Sequence, residues 1–160
     1  MHELLKKESV KRVNQFIKSF DKKLEIKILN KTAKTAKEAA DTLNSEVGAI
    51  VKSLLLRTEH SFLLCLVAGD KKCSLNKIKK ILNKKDVSMA SAEEVKINTG
   101  FSIGGVSPVG HITKLPVFID LSLSRFKDLF AAAGHPNCVF SINYDDLIKI
   151  TKGLEKEISE

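Results

Sequence analysis

Apolar and polar positions follow two rhythms along this chain, and each rhythm predicts a different kind of element. Apolar residues recur at helical spacing over residues 3–20 while lysines occupy the remaining faces, which predicts an amphipathic helix. The apolar face of that helix consists of Val13, Phe16, Ile17 and Phe20. Residues 24–29 instead alternate apolar and charged side chains, which predicts a half-buried strand.

Two uninterrupted apolar runs predict strands that are buried on both faces. Residues 49–56 are apolar except at Lys52 and Ser53, and residues 61–67 form the second run, with a hairpin turn at residues 57–60. Strand alternation places Lys52 on an otherwise apolar face. Because a lysine at such a position needs a partner, it either reaches the surface or binds a carboxylate, an anion or a carbonyl group.

Capping residues mark the starts of the other predicted helices. They are Thr35, Ser74, Ser91 and Asn143. Further strands are predicted at residues 87–89, 127–131 and 138–142, with a tight turn at residues 134–137 and a charged, fraying tail at residues 154–160. A chain of 160 residues with this mixture of elements predicts a single domain over residues 1–160.

Charge narrows the range of partners. The chain carries 27 lysines and arginines against 19 acidic residues, a net charge of +8, which favours a polyanionic partner, although a lysine-rich soluble surface explains the excess as well. No apolar run is long enough to cross a bilayer and no signal-peptide core is present, so we expect a cytoplasmic protein. The three cysteines lack CxxC spacing, which predicts no metal site and suits a reducing compartment.

Residues 100–111 form the most distinctive stretch of the chain, because they hold four of its eight glycines. The stretch leads into an apolar run that ends at Asp120. Such a loop can turn backbone N–H groups towards an oxygen-rich ligand, while an ordinary tight turn explains the composition equally well. The glycine spacing fits neither a P-loop nor a dinucleotide fingerprint.

Three blocks of residues, in their order and spacing, resemble the aminoacyl-tRNA editing (deacylase) domain family. The blocks are residues 51–54, residues 99–110 and residues 115–120, and the resemblance covers about residues 25–153. The family includes free-standing Cys-tRNA(Pro) deacylases and the editing insertion of bacterial prolyl-tRNA synthetases. The resemblance implies an α/β (mixed α+β) fold, in which a largely antiparallel, barrel-like mixed sheet is flanked by helices. It also implies hydrolysis of the ester that joins a wrong amino acid to a tRNA.

Position by position, the resemblance implies two sets of site residues. The implied catalytic set is Lys52, Gly104, Gly105, Ser107 and Asp120. The implied substrate-binding set is Ser53, Val106, Pro108, Gly110, His111, Gly134, His135 and Asn137. No Ser-His-Asp relay can be traced in the sequence, so the resemblance favours chemistry assisted by the substrate's own ribose hydroxyl or thiol. Asp120 has an alternative reading as a strand-end cap.

The expected partner is the acceptor end of a tRNA, with a prolyl-tRNA synthetase as a candidate second partner and no DNA or membrane partner. We expect no cofactor. The densest cation cluster is expected to contact the acceptor arm, although a solvated helix face is the simpler interpretation. It includes Lys77, Lys80, Lys84 and Lys85. The alternative function is a non-catalytic module of the same fold that binds tRNA or a small acyl ligand, and a regulatory or cell-surface-associated paralogue is a third.

Overall fold

A curled, eight-stranded mixed sheet forms the centre of the molecule in a computed structural model that describes residues 3–160. The strands are β1 (Ile26–Ile28), β2 (Ile50–Thr58), β3 (Phe62–Ala68), β4 (Val87–Met89), β5 (Val117–Asp120), β6 (Leu129–His135), β7 (Cys138–Ile142) and β8 (Leu154–Lys156). The helices are α1 (Glu8–Phe20), α2 (Ala36–Leu43), α3 (Leu75–Leu82), α4 (Ala92–Thr99) and α5 (Tyr144–Thr151). Short 3-10 turns lie at Glu3–Lys6, Val47–Ala49 and Leu121–Arg125.

The strand order is β1-β7-β6-β2-β3-β5-β8, and β4 pairs separately with β2. Four of these pairings are antiparallel and three, β2 with β6, β3 with β5 and β5 with β8, are parallel. This mixed, mainly antiparallel sheet with flanking helices confirms the predicted fold class. No helix within residues 3–160 is long and apolar enough to span a bilayer.

The central strand β2 is shared by three neighbours, as its apolar sequence predicts. One edge pairs with β3 over residues 51–57. The other edge pairs first with β6 at Ile50 and Val51 and then with β4 from Leu56 to Thr58. Between those two pairings, one edge of β2 has no strand beside it, and this gap opens the sheet.

The two faces of the sheet carry separate apolar cores. Helix α1 and the stretch after α4 cover one face, while α3 and the end of the chain cover the other. Val10, Val13 and Ile17 of α1 are fully buried, whereas Phe16 is 44% exposed and Phe20 is 38% exposed. The prediction that Phe16 and Phe20 belong to the buried face is therefore wrong. The side chains that pack against the sheet are those of Val10, Val13 and Ile17.

Each of the four predicted capping residues begins a helix. The side chains of Thr35, Ser74, Ser91 and Asn143 all accept the N–H of the residue three positions later. Only Ser91 forms the reciprocal box, in which Glu94 accepts the N–H of Ser91. At Thr35 the corresponding carboxylate of Glu38 accepts the N–H of Lys34 instead.

The prediction that residues 154–160 fray is wrong. Leu154–Lys156 forms β8, which runs parallel to β5, and Ile158 is fully buried. The backbone of Glu160 exchanges two hydrogen bonds with Lys72, at 2.8 and 3.2 Å. The tail is mostly charged, but its Ile158 packs into the second core, and the composition of the tail does not predict this contact.

Several predicted boundaries shift by a few residues. The strand predicted at 127–131 runs from Leu129 to His135, so the tight turn narrows to Pro136 and Asn137. The predicted first helix is a 3-10 turn followed by α1, and the predicted strand at 24–29 shortens to β1. The hairpin connection lies at residues 59–61, because β2 continues to Thr58 and β3 begins at Phe62.

Candidate active site

The gap beside β2 leads into a cleft of about 400 Å³. Its walls are β2, β6 and β7, the segment before α2, the residues between β4 and α4, and the glycine-rich loop, here residues 100–110. Most of the side chains that line it are apolar. They include Ile50, Val51, Leu54, Leu55, Val95, Phe130 and Val139. A cleft of this volume and character suits a small, mainly apolar ligand.

Five of the thirteen residues predicted to be catalytic or substrate-binding line this cleft. They are Lys52, Ser53, Gly104, Val106 and His135. The other eight do not line it, although four of them belong to the glycine-rich loop itself. They are Gly105, Ser107, Pro108, Gly110, His111, Asp120, Gly134 and Asn137.

Lys52 is half-buried on the face of β2 that carries the second core. Its ammonium group donates a hydrogen bond to the backbone carbonyl of Lys71. Burial lowers the pKa of Lys52, although the nearby Cys73 and Asp70 oppose the shift. Of the partners that the sequence left open, a protein carbonyl is therefore the one found, and Lys71, which supplies it, does not itself line the cleft.

Ser53 carries a hydroxyl group that is buried without a hydrogen-bond partner among the described residues. No other buried side-chain nitrogen or oxygen in residues 3–160 shares this condition. A buried polar group without a partner costs free energy, so this hydroxyl stands out in an otherwise satisfied interior.

The backbone of Ser53 also faces the cleft. Ile50 accepts the N–H of Gly69 and Thr58 donates to Ser61, both at 2.8 Å, so the even-numbered residues of β2 exchange their hydrogen bonds with β3. The odd-numbered residues point to the opposite edge, where the carbonyl of Leu55 accepts the N–H of Ala90 at 3.0 Å. The N–H and C=O of Ser53 therefore point into the gap between β6 and β4.

The glycine-rich loop approaches the cleft from the other side. Gly104 adopts a φ of 95°, a region that favours glycine, and lines the cleft together with Val106. The N–H groups of these two residues make no hydrogen bond within residues 3–160, whereas Gly105 donates its N–H to Ser102 at 2.9 Å. Two unengaged donors therefore lie at the cleft.

Gly105 fixes the loop against the end of β6. A Cβ atom at this position would lie 2.9 Å from the backbone nitrogen and from the Cα of His135, a distance that real Cβ atoms essentially never show. Gly105 therefore does not line the cleft but allows the backbone of the loop to touch the backbone of the strand.

Arg12, which sequence reasoning missed, holds the outer part of the loop. Its guanidinium donates to the carbonyls of Gly110 at 3.1 Å and Gly100 at 3.2 Å, and it lies 4.9 Å from the ring centroid of Phe101. Nothing in the sequence distinguishes Arg12 from the other cations of this basic helix, so its role could not be predicted. Helix α1 thus shapes a site that lies about ninety residues further along the chain.

Ser107 and His111 stabilise the loop from within. The fully buried Ser107 accepts the N–H of Val109 on its hydroxyl at 3.2 Å, and its carbonyl lies 2.7 Å from Nε2 of His111. Because a carbonyl only accepts, Nε2 of His111 carries the proton. Burial lowers the pKa of His111, and Arg12 adds to this, whereas the Ser107 carbonyl opposes it.

Asp120 is 1% exposed and binds the end of the chain. One carboxylate oxygen accepts the N–H and the hydroxyl of Ser122, and the other accepts the N–H of Ile158 at 2.8 Å. Burial disfavours the charged form, yet these hydrogen bonds outweigh it and lower the pKa of Asp120. Of the two readings open at the sequence level, this geometry supports the strand-end cap.

His135 lines the cleft at the end of β6. Its Nδ1 accepts the N–H of Asn137 at 3.0 Å, so the proton of the neutral ring resides on Nε2. Burial lowers the pKa of His135, and the charge of Lys7 adds to this.

The two other predicted residues of this turn hold neighbouring segments in place. Asn137 donates its side-chain amide to the carbonyl of Leu29 at 3.1 Å. The carbonyl of Gly134 accepts the hydroxyl of Ser9 at 2.9 Å.

The lysines of α3 and of the turn after it do not line the cleft. Lys77 donates to the carbonyl of Ser159 at 2.6 Å and lies 3.4 Å from Glu157, while Lys80, Lys84 and Lys85 are exposed. Their contact with an acceptor arm stays a prediction.

Lys34 is the cation at the cleft that the sequence did not single out. It is exposed, packs over Gly104 and makes no ion pair in the described chain.

Comparisons with known proteins identify the family. A model of the aminoacyl-tRNA editing domain matches residues 30–150. The uncharacterized protein YwhH of Bacillus subtilis is 31% identical over 140 residues, which cover 87% of this chain and 88% of that protein. The proline–tRNA ligase of Kosmotoga olearia is 35% identical over 95 residues, which cover 59% of this chain but 16% of the ligase.

A crystal structure provisionally assigned as a trans-editing enzyme for prolyl-tRNA synthetase superimposes with a TM-score of 0.90 at 35% identity. The match covers 96% of this chain and 98% of that one. A second structure, of a hypothetical protein, superimposes with a TM-score of 0.87 at 27% identity and covers 93% of this chain and 99% of the other. The chain therefore belongs to the aminoacyl-tRNA editing domain family.

Proposed function

We propose that this protein is a trans-editing deacylase that hydrolyses mischarged tRNA(Pro) carrying cysteine or another small amino acid. The observation that carries the proposal is the meeting of Lys52, Ser53 and the glycine-rich loop on one small cleft, in a member of the editing family. The likeness to a segment of proline–tRNA ligases and to a provisional trans-editing enzyme supports tRNA(Pro) as the substrate.

The shape of the cleft supports a small acyl group. Its lining includes Ala131 and Ala132 of β6 together with branched apolar residues. Apolar walls favour an apolar side chain, because moving a charged or polar group from water into such a lining costs free energy. Cysteine, alanine and 2-aminobutyrate all meet that condition.

The hydrolysis step needs stabilisation of the negative charge that develops on the ester carbonyl oxygen. The unengaged N–H groups of Gly104 and Val106 are suited to this task, and losing one such donor typically costs about 3–4 kcal/mol of barrier. Lys52 lines the same cleft, and in this proposal its positive charge stabilises the same oxyanion.

The nucleophile is assigned to water or to a group of the substrate. Ser53 has no base as a hydrogen-bond partner in the described chain, and Nδ1 of His135 already accepts a backbone N–H. The ribose 2′-hydroxyl, or the thiol of a cysteinyl substrate, then assists the departure of the acyl group. The protonated Nε2 of His135 is available as a donor to the ribose.

A panel of charged tRNAs tests the proposal. Cysteinyl-, alanyl- and 2-aminobutyryl-tRNA(Pro) should be deacylated, prolyl-tRNA(Pro) should be spared, and seryl- and threonyl-tRNAs measure the breadth of specificity. Lys52→Ala should fold normally and lose at least about a hundredfold in kcat/KM, the usual scale for an oxyanion contact. Retention of full activity by a folded Lys52→Ala would remove Lys52 from the site, and tight binding without turnover of any substrate would support the non-catalytic module.

A further inference from the structure

We propose that Ser53 binds the amino-acid part of the substrate through its backbone, as the next strand of the sheet would be bound. The carbonyl of Ser53 accepts a hydrogen bond from the substrate's α-ammonium group, and the N–H of Ser53 donates to the ester carbonyl oxygen. This inference rests on the proposed function and names the contact that selects a free amino acid on the tRNA.

The gap beside Ser53 has the geometry of an unoccupied position in the sheet. Residues exchange two hydrogen bonds with their partner in a narrow antiparallel pair, one through N–H and one through C=O. At Ser53 both groups point away from β3, and neither β6 nor β4 reaches them, since the ladders end at Val51 and resume with the carbonyl of Leu55. An aminoacyl ester presents one nitrogen and one carbonyl on a single Cα, which is the same pair of groups as one strand residue.

The hydroxyl of Ser53 is also buried, and it has no hydrogen-bond partner in the part of the chain that the structure describes. An ammonium group has three donors, and the Ser53 carbonyl takes one of them. The hydroxyl can turn to accept a second donor on the same ammonium group. Substrate would therefore satisfy a polar group whose isolation costs the free protein stability.

The lining of the cleft gives this contact its selectivity. No carboxylate lines the cleft among residues 3–160, so neutral oxygen atoms, chiefly of Ser53, would hold the ammonium group. Charge-assisted hydrogen bonds of this kind are stronger than neutral ones. An N-acylated substrate such as a peptidyl-tRNA loses both the charge and two donors, so the site would spare peptidyl-tRNA and remove only free amino acids.

Three esters on the same tRNA(Pro) test the substrate half of the contact: alanyl, lactyl, which replaces the amine by a hydroxyl, and N-acetylalanyl. Each enzymatic rate is divided by the uncatalysed hydrolysis rate of the same ester, which removes differences in intrinsic reactivity. We expect the lactyl and N-acetylalanyl esters to lose at least about tenfold in corrected kcat/KM, the equivalent of one charge-assisted hydrogen bond. Equal corrected rates for all three esters would overturn the inference while leaving the deacylase activity in place.

Ser53→Ala, compared with Ser141→Ala on the exposed part of β7, tests the protein half. Removing an unpartnered hydroxyl should leave the Tm unchanged or raise it, while the preference for alanyl over lactyl ester shrinks. A purely structural serine would instead lower the Tm and leave that preference as it was, and this result would count against the inference. Ser141→Ala should change neither quantity.

A binding measurement separates this inference from the proposed function. The probe is 3′-alanylamido-3′-deoxyadenosine, an amide that cannot be hydrolysed as the ester is, with adenosine as its control. The ¹⁵N–¹H signal of the Ser53 backbone amide should shift with the probe and not with adenosine. If the signal shifts but no mischarged tRNA is hydrolysed, the inference stands and the deacylase proposal fails. An unmoved signal in an enzyme that hydrolyses alanyl-tRNA(Pro) would contradict the inference alone.

Discussion

The ammonium group of Lys52 lies near Cys73, which forms a hydrogen-bonded pair with Cys65. A hydrogen bond from Cys65 lowers the pKa of Cys73, and the charge of Lys52 adds to the effect, while burial of Cys73 opposes it. The fully buried Cys65 shows the opposite shift, since donating that hydrogen bond and burial both raise its pKa. Lys52 thus belongs to the candidate site and also lowers the pKa of Cys73, which packs against the second core.

This arrangement predicts an order of thiol reactivity. Thiolate is the reactive form, so the partly exposed Cys73 should be alkylated by iodoacetamide well before Cys65 and Cys138, both of which are buried. Burial raises the pKa of Cys138 to about 11. The rate at Cys73 should rise through a midpoint below that of an ordinary cysteine, and Lys52→Met should move this midpoint to higher pH.

Mass spectrometry of alkylated peptides between pH 6 and pH 10 measures these rates. Lys84→Met removes an exposed lysine elsewhere on the molecule and is the matched control, which should leave the Cys73 midpoint unchanged. Labelling of Cys138 before Cys73, or a Cys73 midpoint that Lys52→Met leaves in place, would contradict the described environment.

At the scale of elements, the glycine-rich loop depends on contact between two backbones. Gly105→Ala would place a methyl group 2.9 Å from the backbone of His135, which neither the loop nor β6 can avoid by moving a side chain. We expect this variant to lose about 1–3 kcal/mol of unfolding free energy, as overpacked substitutions do. Its deacylation activity should fall more steeply, because the N–H groups on both sides of Gly105 are displaced.

Urea denaturation and deacylation of alanyl-tRNA(Pro) measure the two effects in parallel. Ser102→Ala changes an exposed side chain in the same loop and should preserve both stability and activity. A Gly105→Ala protein with unaltered unfolding free energy and kcat/KM would show that the loop has another route past the end of β6.

Elements whose signals are local could be predicted from the sequence, and those fixed by distant contacts could not. The helix starts at Ser74, Ser91 and Asn143 depend on a side chain and a backbone N–H three residues apart, so short patterns suffice. The role of Asp120 depends on Ile158, which lies 38 residues away in sequence. The prediction that the end of the chain frays is wrong for the same reason, since the order of this segment comes from pairing with β5.

The candidate site divides in the same way. Lys52, Ser53 and the glycine-rich loop stand out in the sequence as polar residues in an apolar strand and as a cluster of glycines, and the family resemblance implies their place in the site. The apolar walls from β6, β7 and the segment before α2 carry no chemical signal, and only the pairing of β2 with β6 brings them to the cleft. The unpaired backbone at Ser53 is likewise a property of the sheet as a whole, because it follows from where two ladders end.

At the scale of the whole molecule, the net charge of +8 is spread over surfaces at unequal distances from the cleft. Lys34 lies at the cleft itself, whereas Lys80, Lys84 and Lys85 are exposed residues of α3 and of the turn that follows it. In the proposed reaction the ester joins the amino acid to the last nucleotide of a tRNA, so phosphates near the 3′ end of that tRNA would pass the cleft. A cation at the cleft should therefore bind phosphate for any orientation of the tRNA, while α3 does so only if the acceptor stem extends towards it.

Charge reversal separates the two surfaces. Lys34→Glu should raise KM for alanyl-tRNA(Pro) severalfold and reduce the slope of log affinity against log salt by about one, the value for one lost phosphate contact. The triple change of Lys80, Lys84 and Lys85 to Glu is compared with it over 50–200 mM salt, and a matching loss of slope would place the acceptor stem across α3. If the triple variant binds like wild type, the stem leaves the cleft in another direction, and Lys7, whose charge acts on His135, becomes the residue to test. A Lys34→Glu protein whose slope is unchanged would exclude a phosphate contact at the cleft and with it the entry route argued from Lys34.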